Sequence, residues 1–175
     1  MTNHSAADEG FTLIELLIVV TIIAIITALA TAGLMRSRAA ANESSAIASL
    51  RVTFSSQQGY AVACGRGAYA SSYLVLGAPP IVGDAGFISP DLGSAAMPTK
   101  SGYQFTLAAG AGAVAGPTDC NGSATVTAFY ATSVPLSVFS GARSFATNGN
   151  GGAVWQLSGG TAPVEPFGAP ASPIQ

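Results

Sequence analysis

The sequence predicts an α+β chain: one long N-terminal α-helix, its hydrophobic half protruding, packed by its C-terminal half against a small antiparallel β-meander. Three observations predict it. From Leu16 to Met35 no residue is charged. From Arg36 to Gln58 there is neither proline nor glycine, so a helix begun in the apolar run meets no breaker. Beyond Ser101 apolar and polar residues alternate with the period of a half-buried strand.

The run from Phe11 to Leu34 is long enough to cross a hydrocarbon core of ~30 Å at ~1.5 Å per residue. Ile, Leu, Val and Ala surround it on all sides rather than in a stripe. Gly10 precedes it, and Glu15 is the lone acid at its mouth. An acid in a membrane-spanning segment costs several kcal/mol, which makes it a functional hypothesis by default. The bland alternative is an acid resting near the interface with no role. A secretory signal fits poorly, because its apolar core spans ~7–15 residues behind a basic n-region. A plain membrane anchor fits the length and leaves Gly10 and Glu15 unexplained. A buried soluble helix fails, since ~20 uncharged residues exceed what a small domain can surround.

Gly10 followed by Phe11-Thr12-Leu13-Ile14-Glu15-Leu16-Leu17-Ile18-Val19-Val20 resembles the processing site of type IV prepilins and type II secretion pseudopilins. The resemblance implies a pilin-like fold and a leader, residues 1–10, cut off between Gly10 and Phe11 by a membrane-embedded aspartic prepilin peptidase. It further implies N-methylation of the new Phe11 amine and assembly into a helical filament through the hydrophobic helix. In that family the acid matching Glu15 pairs with the terminal amine of a neighbouring subunit. The implied partners are the chain itself (homopolymer or mixed filament), the peptidase, an inner-membrane assembly platform, and the membrane before assembly. The implied locations are the bacterial inner membrane for the precursor and an extracellular or periplasmic filament once assembled. One departure stands out. The leader carries Asp8 and Glu9 and neither Lys nor Arg, whereas prepilin leaders are usually basic. Arg36 and Arg38 lie beyond the span, so the positive-inside rule alone orients the chain the other way.

The chemistry of the motif points the same way. Cleavage creates an ammonium at Phe11, a second costly ion beside Glu15. Charges in low dielectric are tolerated when paired. Glu15 lies one turn from Phe11, so pairing within one helix is conceivable. Pairing between chains would satisfy both ions and also set the axial register of one subunit against the next.

The helix is expected to continue to about Tyr60, roughly 70 Å in all at 1.5 Å per residue. Ile47, Leu50 and Phe54 make a narrow apolar stripe, with Ser44, Ser45, Ser49 and Gln57 on or near the opposite side. Gly33 is a soft point. Domain boundaries then read as leader 1–10, transmembrane and polymerisation helix 11–35, amphipathic continuation 36–60, αβ-loop 61–100, antiparallel sheet 101–160 and disordered tail 161–175. Tyr69, Tyr73 and Phe87 are the aromatic anchors of the αβ-loop. Strands are expected at Tyr103–Leu107, Ala124–Ala131, Arg143–Thr147 and Ala153–Leu157, with turns at Asn121-Gly122 and Asn148–Gly152. Prolines at 163, 166, 170 and 173 argue against an ordered element after Thr161.

Two cysteines, Cys64 and Cys120, in a chain expected outside the cytoplasm favour a disulfide, which would contribute ~4 kcal/mol in the chain-entropy model. Two separate buried thiols are the alternative. Charged residues make up 8% of the chain, hydrophobic ones 49%, and mean hydropathy is +0.48, against roughly a quarter charged in ordinary soluble proteins. Loss of Asp8 and Glu9 with the leader takes eight acidic residues to six, against six basic ones. A neutral chain has no field to steer nucleic acid, and none is evident as a partner.

No catalytic residue and no cofactor is expected. His4 is the only histidine and lies in the leader, so no Ser-His or Cys-His pair survives processing. Gly110–Gly116 lacks the Lys-Ser/Thr of a phosphate loop and reads as a flexible connection. Some pseudopilins bind calcium beside the sheet. Asp84 and Asp91 are the weak candidates here, against a reading as solvated turn acids. Asn121-Gly122-Ser123 matches a glycosylation sequon, for which the turn is sufficient explanation. The reading is therefore a non-enzymatic pilus-like filament subunit. A type II secretion pseudopilin and a monomeric membrane-anchored extracytoplasmic binding module are the alternatives.

Overall fold

In the computed structural model, residues 10–81 and 83–174 are described; residues 1–9 of the expected leader, including His4, Asp8 and Glu9, lie outside them. The chain divides into two units, residues 1–37 and 38–175. One α-helix, α1 (Leu13–Ala63), supplies residues to both. Its N-terminal apolar stretch has a mean hydropathy of 2.8 in its most apolar window and none of that window is buried, so by length and composition it can cross a membrane.

The second unit is an α+β head of pilin-like architecture. After α1 come β1 (Tyr69–Ala70), α2 (Tyr73–Gly77), α3 (Pro90–Gly93), β2 (Thr99–Lys100), β3 (Tyr103–Ala109), β4 (Thr125–Val126), β5 (Phe129–Pro135), β6 (Arg143–Asn148), β7 (Trp155–Ser158) and β8 (Ser172–Pro173). The main sheet has the order β2-β3-β5-β6-β7-β8, antiparallel throughout. Its longest pairing sets Tyr103 opposite Pro135 and Ala109 opposite Phe129.

The alternation read in the sequence is what builds the core. Tyr103, Phe105 and Leu107 of β3 are buried while Gln104 and Thr106 between them are half-buried. They share one apolar cluster with Phe129 and Phe145 of the sheet and Ala46, Leu50 and Tyr60 of α1. Ile47 and Phe54 pack against the same cluster, and the Phe54 ring meets Phe129 at 6.2 Å. The aromatic anchors do as expected: Tyr69 lies edge-on to Phe129 at 5.0 Å, Tyr73 to Phe105 at 6.5 Å, and Phe87 to Tyr60 at 5.3 Å.

Four expectations are corrected. First, Ser49 and Gln57 do not face solvent. Both are buried, because the segment after the helix folds back over that side of α1. The Gln57 amide donates to the Ala70 carbonyl and its oxygen accepts from the Ala70 N–H, each at 2.9 Å, in the manner of a strand partner. Second, α1 does not stop at Tyr60 but runs on to Ala63. The left-handed residues that close it are Arg66 (φ 53°) and Gly67 (φ 87°), with the Gly67 N–H donating to the Ala61 carbonyl at 2.8 Å. Third, Ala124–Ala131 is not one strand. β4 pairs with β1 in a separate two-stranded sheet, and β5 then joins the main sheet. Fourth, the tail is ordered. β8 pairs with the edge of β7, where a proline costs no ladder bond. Phe167 stacks on Trp155 at 5.3 Å, and the Tyr130 hydroxyl donates to the Pro163 carbonyl.

Candidate processing and assembly segment

Gly10 and Phe11 are exposed, and Phe11 is 83% accessible. The helix begins immediately after them. Thr12 acts as the N-terminal cap: its hydroxyl oxygen accepts from the Glu15 N–H at 3.2 Å, and its carbonyl accepts from the Leu16 N–H at 3.2 Å. Thr12-Leu13-Ile14-Glu15 has the Thr-x-x-Glu spacing of a capping box, a local signal for this helix start that the sequence itself carries. Only half of the box forms. Among the described residues the Glu15 carboxylate makes no hydrogen bond and belongs to neither ion pair, which are Lys100–Asp91 and Arg143–Glu43. An exposed carboxylate in the first turn sits at the positive end of the helix macrodipole.

The polar atoms downstream are dealt with differently. Thr21, Thr27 and Thr31 donate their hydroxyls to the Ile18, Ile23 and Ala28 carbonyls at 2.8, 2.8 and 3.0 Å. Hydroxyls satisfied by their own helix are tolerated in hydrocarbon. The carboxylate of Glu15 has no such partner among the described residues. α1 is helical through Gly33, where a Cβ would meet nothing within 4 Å.

In the head, Cys64 and Cys120 form a disulfide. Asp84 is exposed, and Asp91 is paired with Lys100 at 2.7 Å. Hydrogen bonds from Lys100 and Ser89 hold the Asp91 carboxyl below its ordinary value. Among the described residues no group of three or more His, Cys, Asp or Glu could hold a metal ion. Gly110–Gly116 is no free loop: the Gly116 N–H donates to the Thr125 carbonyl at 2.9 Å and Ala115 bridges Val126. A side chain at Gly116 would strike Thr125 and Ala68.

Two acids that the sequence did not single out do structural work. Glu43 is buried on α1 and accepts from the Ala142 and Arg143 N–H groups at 2.8 and 3.2 Å. The Arg143 guanidinium grips its other oxygen at 2.6 and 2.9 Å. Burial pulls the Glu43 carboxyl upward, but these donors outweigh it and hold it below its ordinary value. Burial and the nearby Glu43 charge push the Tyr103 hydroxyl up to about 12. Asp119 is the second acid, buried beside Cys120. Partners about sixty and a hundred residues away left no local pattern to read.

Residues 6–31 match the family described as the prokaryotic N-terminal methylation motif. No curated protein and no solved structure matches the chain. The half-made cap, the acid that has no partner among the described residues and the family match fall on the same residues, and the chain carries a type IV pilin-like prepilin segment ahead of an α+β head of pilin-like architecture.

Proposed function

We propose that this chain is the structural subunit of a type IV pilus-like filament, with no catalytic role of its own. The precursor is anchored in the inner membrane by the apolar part of α1. A prepilin peptidase cuts between Gly10 and Phe11, and the Phe11 amine is methylated. Subunits then leave the membrane and pack their apolar helices together, with Glu15 of one copy accepting the Phe11 ammonium of the next.

The observation that carries this reading is the state of Glu15. Its N–H is satisfied by Thr12, yet its carboxylate is exposed and free of ion pairs among the described residues. A charge destined for the core of a helix bundle needs a counter-ion, and a new N-terminus one turn away on another copy supplies it. Register follows, because only one axial stagger brings the two ions together.

Two measurements test it. Mass spectrometry of the mature protein from cells with active peptidase is expected to show a chain starting at methylated Phe11; retention of residues 1–10 overturns the processing step. Glu15→Ala is expected to abolish filaments seen by electron microscopy while cleavage proceeds. Normal filaments from that variant overturn the register role.

A further inference from the structure

The turn between β5 and β6 carries three apolar side chains with nothing over them. Leu136, Val138 and Phe139 are 58%, 84% and 68% exposed. Apolar residues scattered singly over a surface are ordinary, but these fall within four consecutive positions. Residues 136–142 contain no charge. The backbone beneath them is firmly held. The Leu136 N–H donates to the Gly102 carbonyl at 2.9 Å and the Ser140 N–H to the Ser137 carbonyl at 3.0 Å. The Asn42 amide donates to the Ser140 carbonyl at 3.1 Å, and the Ala142 N–H to Glu43 at 2.8 Å. Val138 and Phe139 therefore sit at the tip of a braced turn, which loses little conformational freedom on docking.

The brace is also an address. Asn42 lies seven residues after Met35, where the apolar run ends. Seven residues reach about 25 Å fully extended and about 10 Å as helix, which bounds the length of chain between the end of the run and the residue that holds the turn. Arg36 and Arg38 lie between the two points, exposed and in no ion pair among the described residues. Exposed cations a few residues past the end of a span, and exposed aromatic and aliphatic tips, are the side chains that settle at a headgroup boundary. The nearest acid, Glu43, is already committed to Arg143.

We propose that the β5–β6 turn is a second membrane contact, in which Val138 and Phe139 enter the headgroup–acyl boundary of a phospholipid bilayer carrying anionic lipids. The proposal rests on the reading of α1 as a membrane span before assembly. It adds a docked posture of the head, released when the subunit leaves for the filament.

The test uses the full chain carrying Phe139→Trp, in vesicles of phosphatidylcholine and phosphatidylglycerol with plain or acyl-brominated chains. An alkaline carbonate wash comes first; protein washed off the vesicles overturns the span reading and this proposal together. For retained protein, the emission added by the substitution is expected to be blue-shifted and to fall by about half in brominated vesicles, while the parent chain, with Trp155 alone, changes little. Retained protein whose added emission is unquenched overturns the proposal and leaves the span reading standing. Emission that is blue-shifted, unquenched and dependent on protein-to-lipid ratio overturns it in favour of a second copy of the chain on the turn.

Discussion

Tyr60, near the end of the long helix, donates its hydroxyl to Asp119 Oδ2 at 2.7 Å, and this bond ties helix and loop together beside the disulfide. The other carboxylate oxygen accepts from the Asn121 and Ser123 N–H groups at 2.8 and 2.6 Å. Asp119 therefore closes the Asn121-Gly122 turn and anchors it to α1 at once. Burial, joined by the Asp119 charge, raises the Tyr60 hydroxyl well above its ordinary value.

Asp119→Ala strips three donors of their acceptor, two of them backbone. Leaving buried donors unmet costs about 1–3 kcal/mol each at most, and partial access of water to the turn lowers the sum. The variant is expected to lose about 2–4 kcal/mol in urea unfolding of the full chain in detergent micelles, followed by near-ultraviolet circular dichroism. Asp119→Asn, which keeps an acceptor for the turn, is expected to lose less. Equal losses would show that the charge, not the turn, matters.

Glu43 gives a pH dependence whose sign follows from its depressed pKa. A carboxyl held below its unfolded value adds stability above the unfolded pKa and loses it as pH falls through the folded one. The head is expected to be at full stability near neutrality and to weaken on acidification below the ordinary carboxylate range. Glu43→Gln is expected to flatten that part of the profile, measured as thermal midpoint against pH, and to cost about 2–3 kcal/mol at pH 7 because Arg143 loses its counter-charge. An unchanged acid slope in the variant would assign the dependence to other carboxylates, of which Asp91 is one.

What was legible in the sequence was whatever repeats locally. The apolar run, the stripe Ile47–Leu50–Phe54 and the alternation of β3 each carry their own period, and each is found in place. What was not legible depends on distant partners. Gln57 looks like a solvent residue until Ala70 comes back to meet it. The helix looks finished at about Tyr60 until the left-handed closure forms at Arg66 and Gly67. The prolines of the tail suggest disorder until an exposed strand edge and Trp155 give them something to lie on. At the candidate site the apolar run and Glu15 are legible as one unit, and the cap made by Thr12 is carried by the same few residues.

Ser133 is a place where the fold is not optimal. It lies fully buried on the core face of β5, opposite Phe105 and Phe145, and its hydroxyl has no hydrogen-bond partner among the described residues. A buried polar group without a partner is a cost rather than a contact. Ser133→Ala is expected to be neutral or to stabilise the head by up to about 1 kcal/mol, read as a higher urea midpoint at unchanged slope. A loss of stability would reveal a partner for that hydroxyl, such as an ordered water.

The disulfide offers the largest single effect. Cys64 and Cys120 are 56 residues apart in sequence, and the segment between them holds β1, α2, α3, β2 and β3. Cross-linking a loop of that length removes unfolded-state entropy worth ~4 kcal/mol in the chain-entropy model. Locally the bond is not alone: the Cys120 N–H donates to the Cys64 carbonyl at 3.0 Å, and Asp119 braces the same turn. Native geometry is therefore expected to survive reduction, with the loss falling on the unfolded side of the balance. The double variant Cys64→Ser, Cys120→Ser is expected to keep its near-ultraviolet spectrum and to unfold at a urea concentration lower by an amount equivalent to about 3–4 kcal/mol. Reducing the unaltered chain is expected to give the same shift within about 1 kcal/mol of the double variant, since both open the same loop. A collapsed spectrum in the folded baseline would instead mean that the bond holds native structure together directly.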